Sequence, residues 1–148
     1  MKPIFVRPAT LADARDVAAR LREEDRQEVL AAGGMDPRIV FPAYILEGRE
    51  VFAAGVEGGP PVVLFGCDPV VGEPDVGIIW LVSTPVLYDH PVEFLKWSKA
   101  IFSDFHRRHW TLTNFVDARN TRHIRWLKWL SKLRELDQRI SAVIPSWH

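Results

Sequence analysis

The stretch from Trp110 to Leu130 constrains the fold more than any other part of the chain. It reads as strand, polar turn and helix. Leu112, Asn114, Phe115 and Val116 form a short run rich in strand formers. Asp117-Ala-Arg-Asn120 interrupts that run with turn chemistry, and Asn120 is placed to cap a following helix. Ile124, Leu127 and Leu130 then recur at helical spacing, with Trp126, Trp129 and Leu133 on an adjoining flank. Arg122, Arg125, Lys128 and Lys132 fall between them. A strand that feeds a helix through a short capped turn is an α/β unit, so all-helical and all-strand folds are set aside at once.

The 148 residues suit one domain, 1–148, and 47% hydrophobic with 26% charged residues suits a packed core. Formal net charge is zero, which argues against whole-molecule steering to nucleic acid. Positive charge is local, around Arg107, Arg108, Arg119, Arg122, Arg125 and Lys128, and such a run is most simply a solvated helix face. Cys67 is the only cysteine, so no disulfide closes within the chain and a reducing compartment is expected. No apolar run follows Met1-Lys2-Pro3-Ile4, so no signal peptide is expected, and no stretch reaches the ~18 apolar residues of a membrane span.

In chain order, Ile4 to Pro8 reads as a first strand. Thr10-Leu-Ala-Asp13 matches a capping box, and one helix is expected from there to Gly33-Gly34, with Leu11, Ala14, Val17, Ala18 and Leu21 on its apolar face. Asp36-Pro37 starts a second helix, shortened or kinked by Pro42. Three strands follow, over Glu50–Val56, Val62–Asp68 and Val76–Val82. The third is apolar throughout, which predicts a central strand covered on both faces. A long helix from His90-Pro91 carries Phe94, Ser98, Ile101 and Phe105 on one stripe and ends near Arg108 or His109. A last strand uses Ile140, Ala142 and Val143. The sum is a mixed α/β fold, with a central sheet of about six strands and helices on both faces.

That order resembles the GNAT fold of the acyl-CoA-dependent N-acyltransferase superfamily. Members carry Asn-x-x-Ala-Ile-x-Leu-Tyr-x-x-Leu-Gly-Phe after the fifth strand, and Asn120, Ile124 and Leu130 fit it. The Tyr that serves as general acid falls on Leu127, the Ala on His123, and the Gly-Phe pair on Ser131-Lys132. Members also carry Arg/Gln-x-x-Gly-x-Gly/Ala after the fourth strand, where backbone amides at a helix N-terminus hold the CoA diphosphate. Here that place reads Ser83-Thr-Pro-Val-Leu-Tyr-Asp-His-Pro-Val92, with no glycine and with Asp89. A narrower likeness runs from about Val76 onward. The wording Asn114 to Leu130, the strand end Trp80-Leu-Val-Ser-Thr84, and Phe94-Leu-x-x-Ser98 resemble the GNAT-like internal virion or core-assembly proteins of short-tailed phages.

The resemblance implies a virion-associated or morphogenesis protein, found in the virion or the host cytoplasm, non-catalytic and without a cofactor. Its partners would be other virion proteins or itself, with neither nucleic acid nor a membrane among them. The alternative it implies is an active N-acetyltransferase with an atypical acetyl-CoA site. In that case Leu81, Ser83 and Asn120 would contact the pantetheine arm, though Asn120 is as simply a helix cap and residues 80–83 a paired strand. Trp126, Trp129, Arg122 and Arg125 are the expected interface residues, because Trp and Arg dominate binding hot spots. No metal site is expected, although His106 and His109 stand at i, i+3 with His123 further on. Glu23, Glu24 and Asp25 offer an acidic run for an amine, and Tyr88 a substitute acid; the simpler reading of the run is a solvated helix face. Cys67 reads as a small buried residue.

Overall fold

The computed structural model describes residues 3–109, 111–115, 121, 122, 125, 126, 128 and 140–143. The order is β1 (Ile4–Pro8), α1 (Leu11–Ala19), α2 (Glu23–Gly33), α3 (Pro37–Leu46), β2 (Phe52–Val56), β3 (Pro61–Val70), β4 (Glu73–Ser83), a 3-10 turn (Pro85–Asp89), α4 (Pro91–Arg108), β5 (Thr111–Phe115) and β6 (Ile140–Val143). Two compact units divide the chain: Met1–Gly66 with Leu81–Ser98, and Cys67–Trp80 with Lys99–His148.

The strands hydrogen-bond in the order β1-β2-β3-β4-β5-β6. β1 to β4 form an antiparallel meander. Ile4 lies opposite Val56 and Phe52 opposite Phe65. The two residues Val71 and Gly72 join β3 to β4, a link too short for anything but an antiparallel hairpin. Parallel pairing begins only in the second unit, where Val76–Ile78 of β4 meets Thr111–Thr113 of β5, and Leu112–Phe115 meets Ile140–Val143 of β6. The mixed α/β expectation stands at that level. Within the six-strand order β1 to β4 make an antiparallel sheet of four strands, and β5 and β6 add short parallel pairings.

In the first unit α1 starts as its capping box predicts. The Asp13 amide donates to Thr10 Oγ1, and the Thr10 amide donates to Asp13 Oδ2, each at 3.1 Å. Arg7 of β1 grips the same carboxylate at 2.8 and 3.2 Å, tying the strand to the helix. Asp36 caps α3 by accepting the Arg38 amide at 2.8 Å, with Pro37 in the first turn. α3 runs ten residues despite Pro42. Ala14, Val17 and Ala18 of α1, Phe41 of α3, and Ala53 and Ala54 of β2 are buried in this unit's core.

One expectation is overturned. One helix from Thr10 to Gly33 is instead α1 and α2, broken at Arg20 to Arg22. Arg20 closes α1 by donating its N–H to Val17, and Arg22 takes φ −54°, ψ 144°. The cause is long-range: the Arg22 amide donates to the Ser83 carbonyl at 2.9 Å, which removes it from any helix. The apolar run of β4 fares better: β4 lies between β3 and β5, and Val76 to Val82 are all buried or half-buried, although β3, buried without a break from Pro61 to Cys67, is the deeper strand.

Two glycines are demanded by close approach. A Cβ on Gly55 would lie 2.6 Å from the Pro60 carbonyl oxygen and 2.7 Å from the Phe5 ring, beside the register shift in β2. A Cβ on Gly77 would lie 2.6 Å from Cys67 Sγ and 2.8 Å from the His109 ring.

Candidate functional site

The end of β4, the first turn of α2, the 3-10 turn and the start of α4 bring the chain's chemistry together in the first unit. Ser83 and Thr84 are fully buried. Their backbone groups are already bonded within the chain. The Ser83 amide donates to Asp25 Oδ2 at 2.9 Å, the Ser83 carbonyl accepts the Arg22 amide, and the Thr84 amide donates to the Val62 carbonyl at 2.9 Å.

Asp25 is itself fully buried. A buried carboxylate is tolerated only when compensated. The backbone amide supplies one hydrogen bond, and Arg22 Nη1 stands 3.4 Å from Oδ1. Arg22 is also buried. Its other nitrogen donates to Glu24 Oε2 at 2.6 Å, and its guanidinium lies 4.8 Å over the Tyr88 ring. One helix start, one strand end and one turn are therefore locked by a single ionic cluster. Beside it, Ser83 Oγ and Thr84 Oγ1 are buried with no hydrogen-bond partner among the described residues.

The segment after β4 presents no anion cradle. Pro85 to Asp89 form the 3-10 turn, and α4 opens on Pro91 with Glu93 in its first turn. The Glu93 carboxylate lies 3.0 Å from His90 Nδ1. A carboxylate there already complements the positive end of the helix dipole, so a diphosphate would meet like charge. These residues do not fit the CoA diphosphate.

The other sequence candidates are distributed as follows. Leu81 is half-buried and Ser83 buried, two residues apart on β4. Asn120 lies outside the described residues, as do Trp129 and His123. Trp126 is half-buried, its ring edge-on to Phe102 at 5.4 Å between centroids, and Arg122 and Arg125 are exposed beside it in a helical stretch. The acidic run of α2 is occupied: Glu23 accepts from Gln27 at 2.8 Å, Glu24 from Arg22, and Asp25 is buried. It offers no ready seat for an amine. His109 bonds through Nδ1 to the Pro74 carbonyl at 3.2 Å, and no three His, Cys, Asp or Glu gather as a metal site among the described residues. Cys67 is buried.

Sequence reasoning missed the Arg22–Asp25–Ser83 cluster. A signal was present. Asp25 continues the stripe of Ala14, Val17, Ala18 and Leu21 at helical spacing, and an acid at a core position asks for a buried partner.

No protein-family model matches the chain, and no curated protein matches it. Solved structures do. An acetyltransferase of the GNAT family from Bacillus anthracis superposes with a TM-score of 0.67 at 13% identity, over 87% of this chain and 79% of that one. An N-acetyltransferase from Staphylococcus aureus Mu50 superposes with a TM-score of 0.56 at 14% identity, over 86% of this chain and 82% of that one. At such identities the likeness speaks for the architecture and not for the chemistry, and the architecture is the GNAT fold.

Proposed function

We propose that this chain is a non-catalytic protein on a GNAT fold that acts through protein contacts, in the assembly of short-tailed phage particles. The observation that carries the non-catalytic part is the acidic, glycine-free entry to α4. Asp89 and Glu93 stand where the resembled enzymes place diphosphate-binding amides. The Asp25 carboxylate on the Ser83 amide adds to it, because a backbone donor at the end of β4 is already used. The phage part rests on the wording of the sequence from Val76 onward, and protein partners follow from it.

Calorimetry with acetyl-CoA tests the reading. No heat and no thermal shift at millimolar ligand are expected. A Kd below ~100 μM, about −5.5 kcal/mol, would overturn the non-catalytic part. Mass spectrometry of purified particles and assembly intermediates tests the phage part; absence from both, with normal particles from a deletion phage, would overturn it.

A second reading, an N-acetyltransferase with an atypical acetyl-CoA site, is favoured by one observation. Ser83 Oγ and Thr84 Oγ1 are buried without a partner among the described residues at the end of β4, where a pantetheine arm could use them. The same calorimetry separates the two.

A further inference from the structure

The formal charge of zero conceals a separation. Residues 1–98 carry nine Lys or Arg against fifteen Asp or Glu, and residues 99–148 carry ten against four. In the second compact unit this separation reaches the surface. Arg107 and Arg108 end α4 exposed, and Arg122, Arg125 and Lys128 are exposed on the helical stretch after β5. The Phe102–Trp126 ring contact holds these two stretches together. Asp104, 3.5 Å from Arg107, is the only acid of α4 from Lys99 onward.

The β3–β4 hairpin of the same unit has the opposite sign. No Lys or Arg occurs between Arg49 and Lys96. Glu73 and Asp75 are exposed and make no ion pair among the described residues, and Val71 at the tip is 100% exposed. The hydrogen bond from His109 to the Pro74 carbonyl sets the neck of this hairpin beside the end of α4. The acidic tip and the end of α4 therefore adjoin, and the second unit as a whole carries ten Lys or Arg against seven Asp or Glu.

Adjoining patches of opposite sign are self-complementary under a two-fold rotation, which lays each on its opposite in the other copy. We propose that this chain forms a dimer in which the β3–β4 hairpin tip of each copy rests on the basic residues Arg107, Arg108, Arg122, Arg125 and Lys128 of the other. Val71 supplies an apolar contact inside the charged rim. The inference rests on the reading of the chain as a contact protein and names its partner as a second copy. A nucleic acid is the less favoured occupant, since Glu73 and Asp75 would repel phosphates approaching the same surface.

Sedimentation velocity across a salt series tests this on the unmodified protein. Exposed charges are screened over about 10 Å at 0.1 M salt and about 3 Å at 1 M. A dimer at low salt that weakens at least tenfold on going to ~1 M is expected. Two variants sharpen the test: one carries Glu73→Lys with Asp75→Lys, the other Arg107→Glu, Arg122→Glu and Arg125→Glu, which turns the five-cation patch net negative. Each alone should dissociate at least tenfold more readily than the parent, while an equimolar mixture regains association, because both contacts are again opposite in sign. A monomer at ~100 μM and low salt, a dimer indifferent to salt, or a mixture that stays monomeric would overturn the proposal. So would salt-sensitive retention of a DNA or RNA oligonucleotide, lost in the arginine variant, by a protein that stays monomeric. Acetyl-CoA binding is read separately by calorimetry: a dimer that binds it leaves this inference standing and removes the non-catalytic reading, and a monomer that does not bind it does the reverse.

Discussion

Replacing Asp25 should unfold this protein more readily than any comparable change on its surface. The carboxylate is fully buried, accepts the Ser83 amide at 2.9 Å and faces Arg22 Nη1 at 3.4 Å. Asp25→Ala removes both interactions at once. It leaves a buried amide without an acceptor, about 1–3 kcal/mol. It also leaves the buried Arg22 cation with Glu24 as its named carboxylate partner, and breaking one side of a buried ion pair costs ~3–5 kcal/mol. These two contributions overlap, so ~3–5 kcal/mol is the working figure for the whole change. Against a typical stability of ~5–15 kcal/mol that is a large share, and it corresponds to a fall in Tm of roughly 10 °C for a chain of this size. Asp25→Asn keeps an oxygen for the Ser83 amide and should cost about 1–3 kcal/mol less than the alanine change. Urea denaturation followed by far-UV circular dichroism reads both. An Asp25→Ala midpoint shift worth under ~1 kcal/mol would refute the reasoning, since it would place the carboxylate in water rather than in the core.

Gly55→Ala should cost about 1–3 kcal/mol, because the new Cβ meets the Pro60 carbonyl oxygen at 2.6 Å and the Phe5 ring at 2.7 Å. Gly33→Ala, with nothing within 4 Å, should stabilise by up to ~1 kcal/mol; thermal melts compare the two. Hydrogen bonds from Arg38 hold the Asp36 carboxyl down from 3.8 to about 2, so the stability this cap provides is complete above pH ~4 and is lost as pH falls through about 2; in Asp36→Asn the acid unfolding curve should lose that component. Trp126→Ala should cost about 1–2 kcal/mol through loss of its edge contact with Phe102, whereas Arg125→Ala should leave the melt within ~0.5 kcal/mol of the parent.

Local chemistry was legible wherever neighbours in sequence are neighbours in space. The capping box of Thr10 and Asp13, the Asp36-Pro37 helix start and the α4 stripe of Phe94, Ser98 and Phe105 all follow from spacing. The break between α1 and α2 was illegible for the opposite reason. Residues 20–24 are good helix formers, and the Ser83 carbonyl, some sixty positions on, takes the Arg22 amide away. The candidate site was half-legible: the missing glycines and Asp89 stood in the sequence, but the carboxylate that occupies the Ser83 amide comes from α2. The apolar run of β4 marked a strand inside the sheet, but such a run does not say how deeply side chains are buried, and β3 is the deeper of the two.

The same break shapes how the chain reaches its structure. Before β4 is in place, local propensity does not distinguish Leu21 and Arg22 from the helical residues on either side. β4 reaches β3 through a two-residue hairpin, but bringing Ser83 to Arg22 closes a loop of 61 positions, which costs more chain entropy. The bend is therefore set by a contact of high sequence separation, fixed only when the Ser83 carbonyl takes the Arg22 amide, and contacts of that kind are the ones that slow a chain's folding.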